Sequence, residues 1–229
     1  IRIVGSLKLN AFNTPVDETF ADQLRVAAGS RPIVLAASTH SPEEQILLKA
    51  SQEVVRAGYP HLLIIAPRHS DRSQDIARLM PQAAHRSKNQ LPLLGDNHFL
   101  ADSFGEMSSL VTAADIVILG GSFVPKGGHN PLEIAALCTP LITGPSQFKN
   151  KVEFDTLQQF GQCITVKDGT NLVKQLIIWL EALRTDGRAI SQDNLDKACA
   201  YVKQACERPT KTARLIIDRL PTQHHPNQN

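Results

Sequence analysis

Aromatic residues make up only 5% of this 229-residue chain, and its formal charge is nearly balanced at +2. The first scarcity removes the base-stacking platforms of single-strand nucleic-acid binders. The second removes the strong basic excess that non-specific nucleic-acid binding needs. Cysteine is sparse too. Cys138, Cys163, Cys199 and Cys206 form no CxxC pair, so metal-ligand spacing is missing and free thiols in a reducing compartment are the expectation. No apolar run approaches the roughly 20 residues that a membrane span requires. No repeat or low-complexity linker is present, no DxD-type acidic pair stands near the strand-end loops, and neither a metal nor another cofactor is expected. What is there, 42% hydrophobic and 20% charged residues, is the composition of a soluble globular domain.

The chain alternates short apolar runs with amphipathic stretches. Arg2–Leu7, Pro32–Ala37, His61–Ala66, Asp115–Leu119, Leu141–Thr143 and Cys163–Val166 read as strands, and Leu91–Leu94 as a weak one. Thr14 as N-cap with Pro15 at the first position predicts a helix that Gly29 closes. Ser41-Pro42-Glu43-Glu44 reads as a capping box opening a second helix that ends near Gly58. Further helices are expected over about Asp71–Met80 and Glu106–Ala114, with Pro81–Gln90 irregular between them. Three more, Thr170–Leu183, Ser191–Glu207 and Pro209–Leu220, follow the last strand. Thr222–Asn229 is polar and reads as a frayed end. Strands that are apolar throughout imply burial on both faces, hence a doubly wound α/β domain with a parallel sheet. The chain opens on Ile1 rather than Met, directly in a strand-like run, and reads as a fragment whose upstream part could carry an anchor.

In such sheets ligands bind at the carboxyl ends of the strands, which directs attention to the loops after Ala37, Ala66, Leu94 and Leu119. The richest is the stretch from Gly120 to Pro140. Gly120, Gly121, Gly127 and Gly128 crowd a loop that ends at Asn130, where a helix is expected to begin. The pattern points free backbone N–H groups and a positive dipole end at an anion. Glu133 in the first turn is poor for holding phosphate but suits ribose hydroxyls, which donate to it. The glycines imply a close approach by something needing side-chain clearance. Asn130 and Glu133 also fit a plain capping arrangement, and His129 divides evenly between helix entry and a phosphate donor. Arg68 fits phosphate bidentately or pairs with Asp71. His69 and Phe104 divide between packing and ligand contact, Ser38 and Thr39 between turn and ligand, and Glu106 between dipole and ligand.

GSLK (Gly5–Lys8), ASTH (Ala37–His40), APRH (Ala66–His69), GEM (Gly105–Met107), GGSFVPKGGHNPLE (Gly120–Glu133) and GPSQFKN (Gly144–Asn150) occur in one order. Together they resemble the matching blocks of the Kdo transferases, the lipid A 3-deoxy-D-manno-octulosonic acid transferases of Gram-negative bacteria. The resemblance runs from Gly5 to about Leu220 and corresponds to the C-terminal half of the family's proteins. It implies one Rossmann-like half of an inverting GT-B glycosyltransferase that moves Kdo from CMP-Kdo to a lipid A precursor without a metal. Residues 1–229 would be the donor-binding domain, with residues 168–220 its helical tail. By motif, Pro67, Arg68 and His69 would lie against the nucleotide, and Phe104, Gly105, Glu106 and Met107 around the cytosine. Gly121, His129, Asn130, Pro131 and Leu132 would set the phosphate site, with Glu133 on the ribose and Ser38 and Thr39 toward phosphate or sugar. The missing N-terminal half would bind the lipid, associate with the cytoplasmic face of the inner membrane and supply the general base. No catalytic residue is then expected here, and the fragment alone should bind nucleotide without transferring sugar. Two other readings share these features: a nucleotide-sugar epimerase of the same build, and a non-catalytic nucleotide-binding module.

Overall fold

Seven parallel strands form one sheet in the order β3-β4-β2-β1-β5-β6-β7. The computed structural model of the chain describes residues 15–217. The strands are β1 (Ile33–Thr39), β2 (Leu62–Pro67), β3 (Ala84–His85), β4 (His98–Leu100), β5 (Ile116–Leu119), β6 (Leu141–Thr143) and β7 (Cys163–Thr165). The helices are α1 (Glu18–Ala28), α2 (Glu43–Arg56), α3 (Ser73–Leu79), α4 (Met107–Ala113), α5 (Leu132–Ala135), α6 (Lys151–Gln159), α7 (Gly169–Asp186), α8 (Gln192–Cys206) and α9 (Arg208–Ile217).

The continuous apolar runs are explained by two cores, one on each face of the sheet. Ile33, Leu35, Ala37, Leu62, Ile64, Phe99, Val117 and Leu119 point to the face covered by Phe20 and Leu24 of α1, with α4, α6 and α8. Val34, Ala36, Leu63, Ile65, Leu100, Ile116 and Ile118 point to the other, where Leu47 and Val54 of α2 meet Leu176 and Trp179 of α7. Alternation along each strand therefore sends successive side chains into different cores, and neither face can be polar. Burying one such side chain contributes about 1.5–3 kcal/mol.

β1 pairs with β2 on one side and β5 on the other. The chain runs outward from β1 to the β3 edge, then returns to β5. That reversal opens a crevice at the carboxyl ends of β1 and β5, the usual ligand position in open α/β sheets.

Several elements differ from the expectation. Leu91–Leu94 is not a strand; Leu93 and Leu94 are 73% and 77% exposed. The strands of that region are β3, inside the stretch read as irregular, and β4, which pairs with Leu63–Ile65. The first helix is capped by Asp17, whose side chain accepts from Phe20 N–H, and is closed by Gly29 as expected. Thr14, the Arg2–Leu7 strand, the GSLK block and the polar tail lie outside the described residues. Ser41 does not cap α2; Pro42, which has no side-chain acceptor, stands at its N-cap, and Glu44, the acid three residues after Ser41, is held by Thr39 and Arg72. The expected helix from Asp71 splits into a 3-10 turn at Ser70–Arg72 and α3. Cys138 and Cys199 are joined, Cα atoms 6.2 Å apart, contrary to the free-thiol reading. They lie 61 residues apart in sequence, and only the packing of α8 beside α5 brings them within bonding reach. Cys163 and Cys206 are free, and burial pushes both thiols up. Among the described residues, no helix is long and apolar enough to cross a membrane.

Candidate functional site

A cavity of about 330 Å³ opens at the carboxyl rim of the sheet. Its apolar floor comes from strand and helix residues, among them Ala37, Ala66, Ala101, Leu110, Leu119 and Ile134. Its polar walls are Ser38, Pro67, Arg68, Ser103, Phe104, Gly105, Glu106, Met107, His129, Asn130 and Glu133. Four loops that are remote in sequence thus meet in one space. Five of the expected residues do not line it. Thr39 is fully buried and donates its hydroxyl to Glu44. Leu132 and Pro131 are buried behind the wall. His69 stands edge-on to His40, and Gly121 lies beneath the His129 and His40 rings.

The glycine loop does not hold its amides open. The Glu43 carboxylate, fully buried, accepts N–H bonds from Gly121 (2.8 Å), Ser122 (3.0 Å), Phe123 (2.9 Å) and His40 (2.8 Å). The anion that satisfies these donors is therefore the protein's own side chain, reaching over from the start of α2. The helix beyond the loop is also weaker than expected. α5 has four residues, and Leu132 N–H is already taken by Asn130 Oδ1. The glycines have internal reasons as well. A Cβ on Gly120 would stand 2.3 Å from Ser38 O, and one on Gly144 2.4 Å from Ser122 O. One on Gly128 would meet Phe154 and Ser146 O. The close approach at these glycines is made by neighbouring segments of this chain.

Two further carboxylate hubs shape the walls. Glu44, buried, accepts a bidentate pair from Arg72 (2.8 and 2.9 Å) as well as the Thr39 hydroxyl. Burial alone would raise its pKa, but these hydrogen bonds outweigh it and hold the carboxyl below the ordinary range. The pair ties the loop after β2 to α2. On the opposite wall Arg86 grips Glu106 through Nε (2.9 Å) and a terminal nitrogen (2.5 Å), while Ser103 donates to the same carboxylate. Arg86 also lies 4.3 Å above the Phe20 ring. Asp102 accepts from Ser87 N–H and hydroxyl. The segment Arg86–Ser87 thus fixes the 102–106 loop. Sequence reasoning missed Glu43, Arg72 and Arg86. The adjacent acids Glu43-Glu44 gave a signal, but one that a capping box explains equally well.

Arg68 and Glu133 are left facing the cavity. Arg68 makes no ion pair with Asp71 or any other acid among the described residues. Glu133 caps nothing. It is exposed by surface area, yet surrounding atoms desolvate its carboxyl and raise its pKa, with Arg68 only partly opposing. A cation and a carboxylate with spare hydrogen-bonding capacity therefore share one wall, and Phe104, 74% exposed, offers a flat face on another. Among the described residues no group of three or more His, Cys, Asp or Glu is placed to hold a metal ion.

A seven-stranded parallel sheet with helices on both faces and a cavity at its switch point matches the Rossmann-like halves of GT-B glycosyltransferases. No protein-family model matches the chain. The 3-deoxy-D-manno-octulosonic acid transferase of Haemophilus influenzae is 44% identical over 156 residues, 65% of this chain and 36% of that protein. That of Rickettsia conorii is 31% identical over 183 residues, 78% of this chain and 39% of that protein. The crystal structure of the C-terminal CMP-Kdo binding domain of WaaA from Acinetobacter baumannii superposes with a TM-score of 0.65 at 26% identity. That match covers 83% of this chain and 97% of that one. Within its class the chain is a homologue of the Kdo transferases, and it spans about two-fifths of the length of the curated relatives it matches.

Proposed function

We propose that this chain is the CMP-Kdo-binding half of an inverting Kdo transferase, a single domain over residues 1–229 with residues 168–220 as its helical tail. The cavity at the switch point, with Arg68 and Glu133 unpaired on its wall, carries this reading. The base lies against the 103–107 loop, Glu133 accepts from ribose hydroxyls, and Arg68, His129 and Asn130 face the phosphate. Transfer forms the bond from an acceptor oxygen to the anomeric carbon and breaks the bond from that carbon to the phosphate. Negative charge then grows on the departing CMP, and a fixed guanidinium stabilises it without reorganising. With Glu43 filling the glycine-loop amides, Arg68 rather than the bare loop does this. The acceptor, a lipid A precursor, and the general base belong to the longer protein, which would work at the cytoplasmic face of the inner membrane. The fragment alone binds donor and transfers nothing.

Calorimetric titration with CMP, UDP and GDP tests the proposal. CMP should bind at least about tenfold more tightly than the others; a preference for UDP would favour an epimerase and defeat it. Glu133→Ala should weaken CMP by a similar factor without lowering the melting temperature, since the native carboxylate makes no internal hydrogen bond among those of the described residues.

A further inference from the structure

Behind the cavity wall, the Cys138–Cys199 bond ties the end of α5 to α8. α5 is the four-residue helix that brings Glu133 and Ile134 to the wall. A single turn cannot stand on its own hydrogen bonds. Leu132, Ile134 and Ala135 anchor its inner face in the core, and Gln162 donates to Ala135 O and Thr139 O. Glu133 stands on the other, exposed face. Cys138 closes the turn, its N–H bonded to Ala135 O at 3.1 Å. It is exposed and holds a φ of +55°, a left-handed conformation that a residue with a Cβ seldom takes. Cys199 is half-buried in α8, its Sγ 4.0 Å from Ala135 O.

This pair can be opened and closed from outside. Cys163 is buried in β7 and out of reach of solvent thiols, whereas Cys138 is open to them. A thiolate of an external dithiol attacks Cys138 Sγ, the S–S bond breaks, and Cys199 leaves as a thiolate that takes a proton from water. The dithiol's second sulfur then displaces Cys138 from the mixed disulfide. The dithiol departs as a disulfide, having given two electrons, and the chain keeps two thiols. A low-molecular-weight disulfide drives the reverse exchange and takes the two electrons back. While the bond is closed, α5 is held in place and the wall is formed before a ligand arrives. Once it is open, Cys138 can leave the left-handed conformation, the turn loosens, and binding must order the wall again.

Resting on the function proposed above, we propose that Cys138 and Cys199 form a thiol–disulfide exchange site that sets the affinity of the cavity for its nucleotide, tight when oxidised and weak when reduced. Linkage makes the effect mutual: bound CMP makes the pair harder to reduce by the same factor.

The chain is treated with oxidised glutathione or with dithiothreitol, its cysteines are mapped by mass spectrometry, and CMP is titrated into each form. Mapping should find Cys138 linked to Cys199 after oxidation and both free after reduction. The oxidised form should bind CMP about fivefold more tightly or better. Cys138→Ser and Cys199→Ser should each bind like the reduced form under both treatments. Both cysteines free after oxidation, equal affinities of the two forms, or a difference that persists in the serine variants overturns the proposal. If the unaltered chain binds CMP in neither form, the donor-binding reading fails, and amide hydrogen exchange over residues 129–139 judges the tie by itself. Faster exchange after reduction supports it, and equal exchange overturns it.

Discussion

Glu43 Oε2 accepts the backbone N–H of Gly121 at 2.8 Å across 78 residues of sequence. With Ser122, Phe123 and His40 bound to the same carboxylate, the loops after β1 and β5 are clamped together. Glu43→Ala strands the buried amides of Gly121 and Ser122. Each buried donor left unsatisfied should cost about 1–3 kcal/mol. Urea unfolding checks this, and an unchanged midpoint would show that the clamp is dispensable.

Gly120→Ala should be harmful for a different reason. Its methyl would collide with Ser38 O at 2.3 Å and Thr39 Cα at 2.7 Å, both backbone, so β1 and β5 must part at the cavity floor. A loss of about 1–3 kcal/mol, together with weaker CMP binding, is the expected result in paired melting and titration experiments. Stability at the level of the unaltered chain would remove the contact as the reason for glycine.

Arg86 does not itself line the cavity, yet Arg86→Ala should weaken CMP about tenfold, by releasing Glu106 and the 103–107 loop. Arg86→Lys should restore little, since an ammonium cannot reproduce the fork. The pair also predicts an acid limb. The Arg86 hydrogen bond comes first among the causes holding Glu106 below its ordinary value. Its stabilisation is therefore full above the unfolded carboxyl range and disappears as pH falls through the lower folded value. Denaturation midpoints across that window should fall less steeply in Arg86→Ala.

The stacked imidazoles of His40 and His129 predict a second, higher window. His129 is held at about 4 and His40 is also lowered, burial being the main cause for both. The unfolded chain binds more protons than the native one between about 6.5 and 4, so stability declines as pH drops across that interval. His129→Gln should flatten the decline, as read from unfolding midpoints at several pH values. A slope equal to that of the unaltered chain would place the titration elsewhere.

The strands that position the site were readable because IVLAA, LLIIA and IVIL are apolar at every position, a demand that only two-sided burial makes. β3 and β4 were not readable. At two and three residues they carry no period of their own and exist through pairing with β2. Ten of the fifteen expected site residues line the cavity, because loops after neighbouring parallel strands must converge there. The order of the glycine loop was misread for one reason: nothing local distinguishes amides waiting for a ligand from amides satisfied by Glu43. The same holds for Arg86, whose partner Glu106 sits 20 residues away on another wall.

Because the cavity takes its walls from four separate crossovers, no half-built intermediate can contain it. A bound nucleotide therefore rewards only the finished sheet. At a concentration about 100 times the dissociation constant it should add about 2.7 kcal/mol to the unfolding free energy, so a thermal-shift screen of candidate donors would report recognition directly.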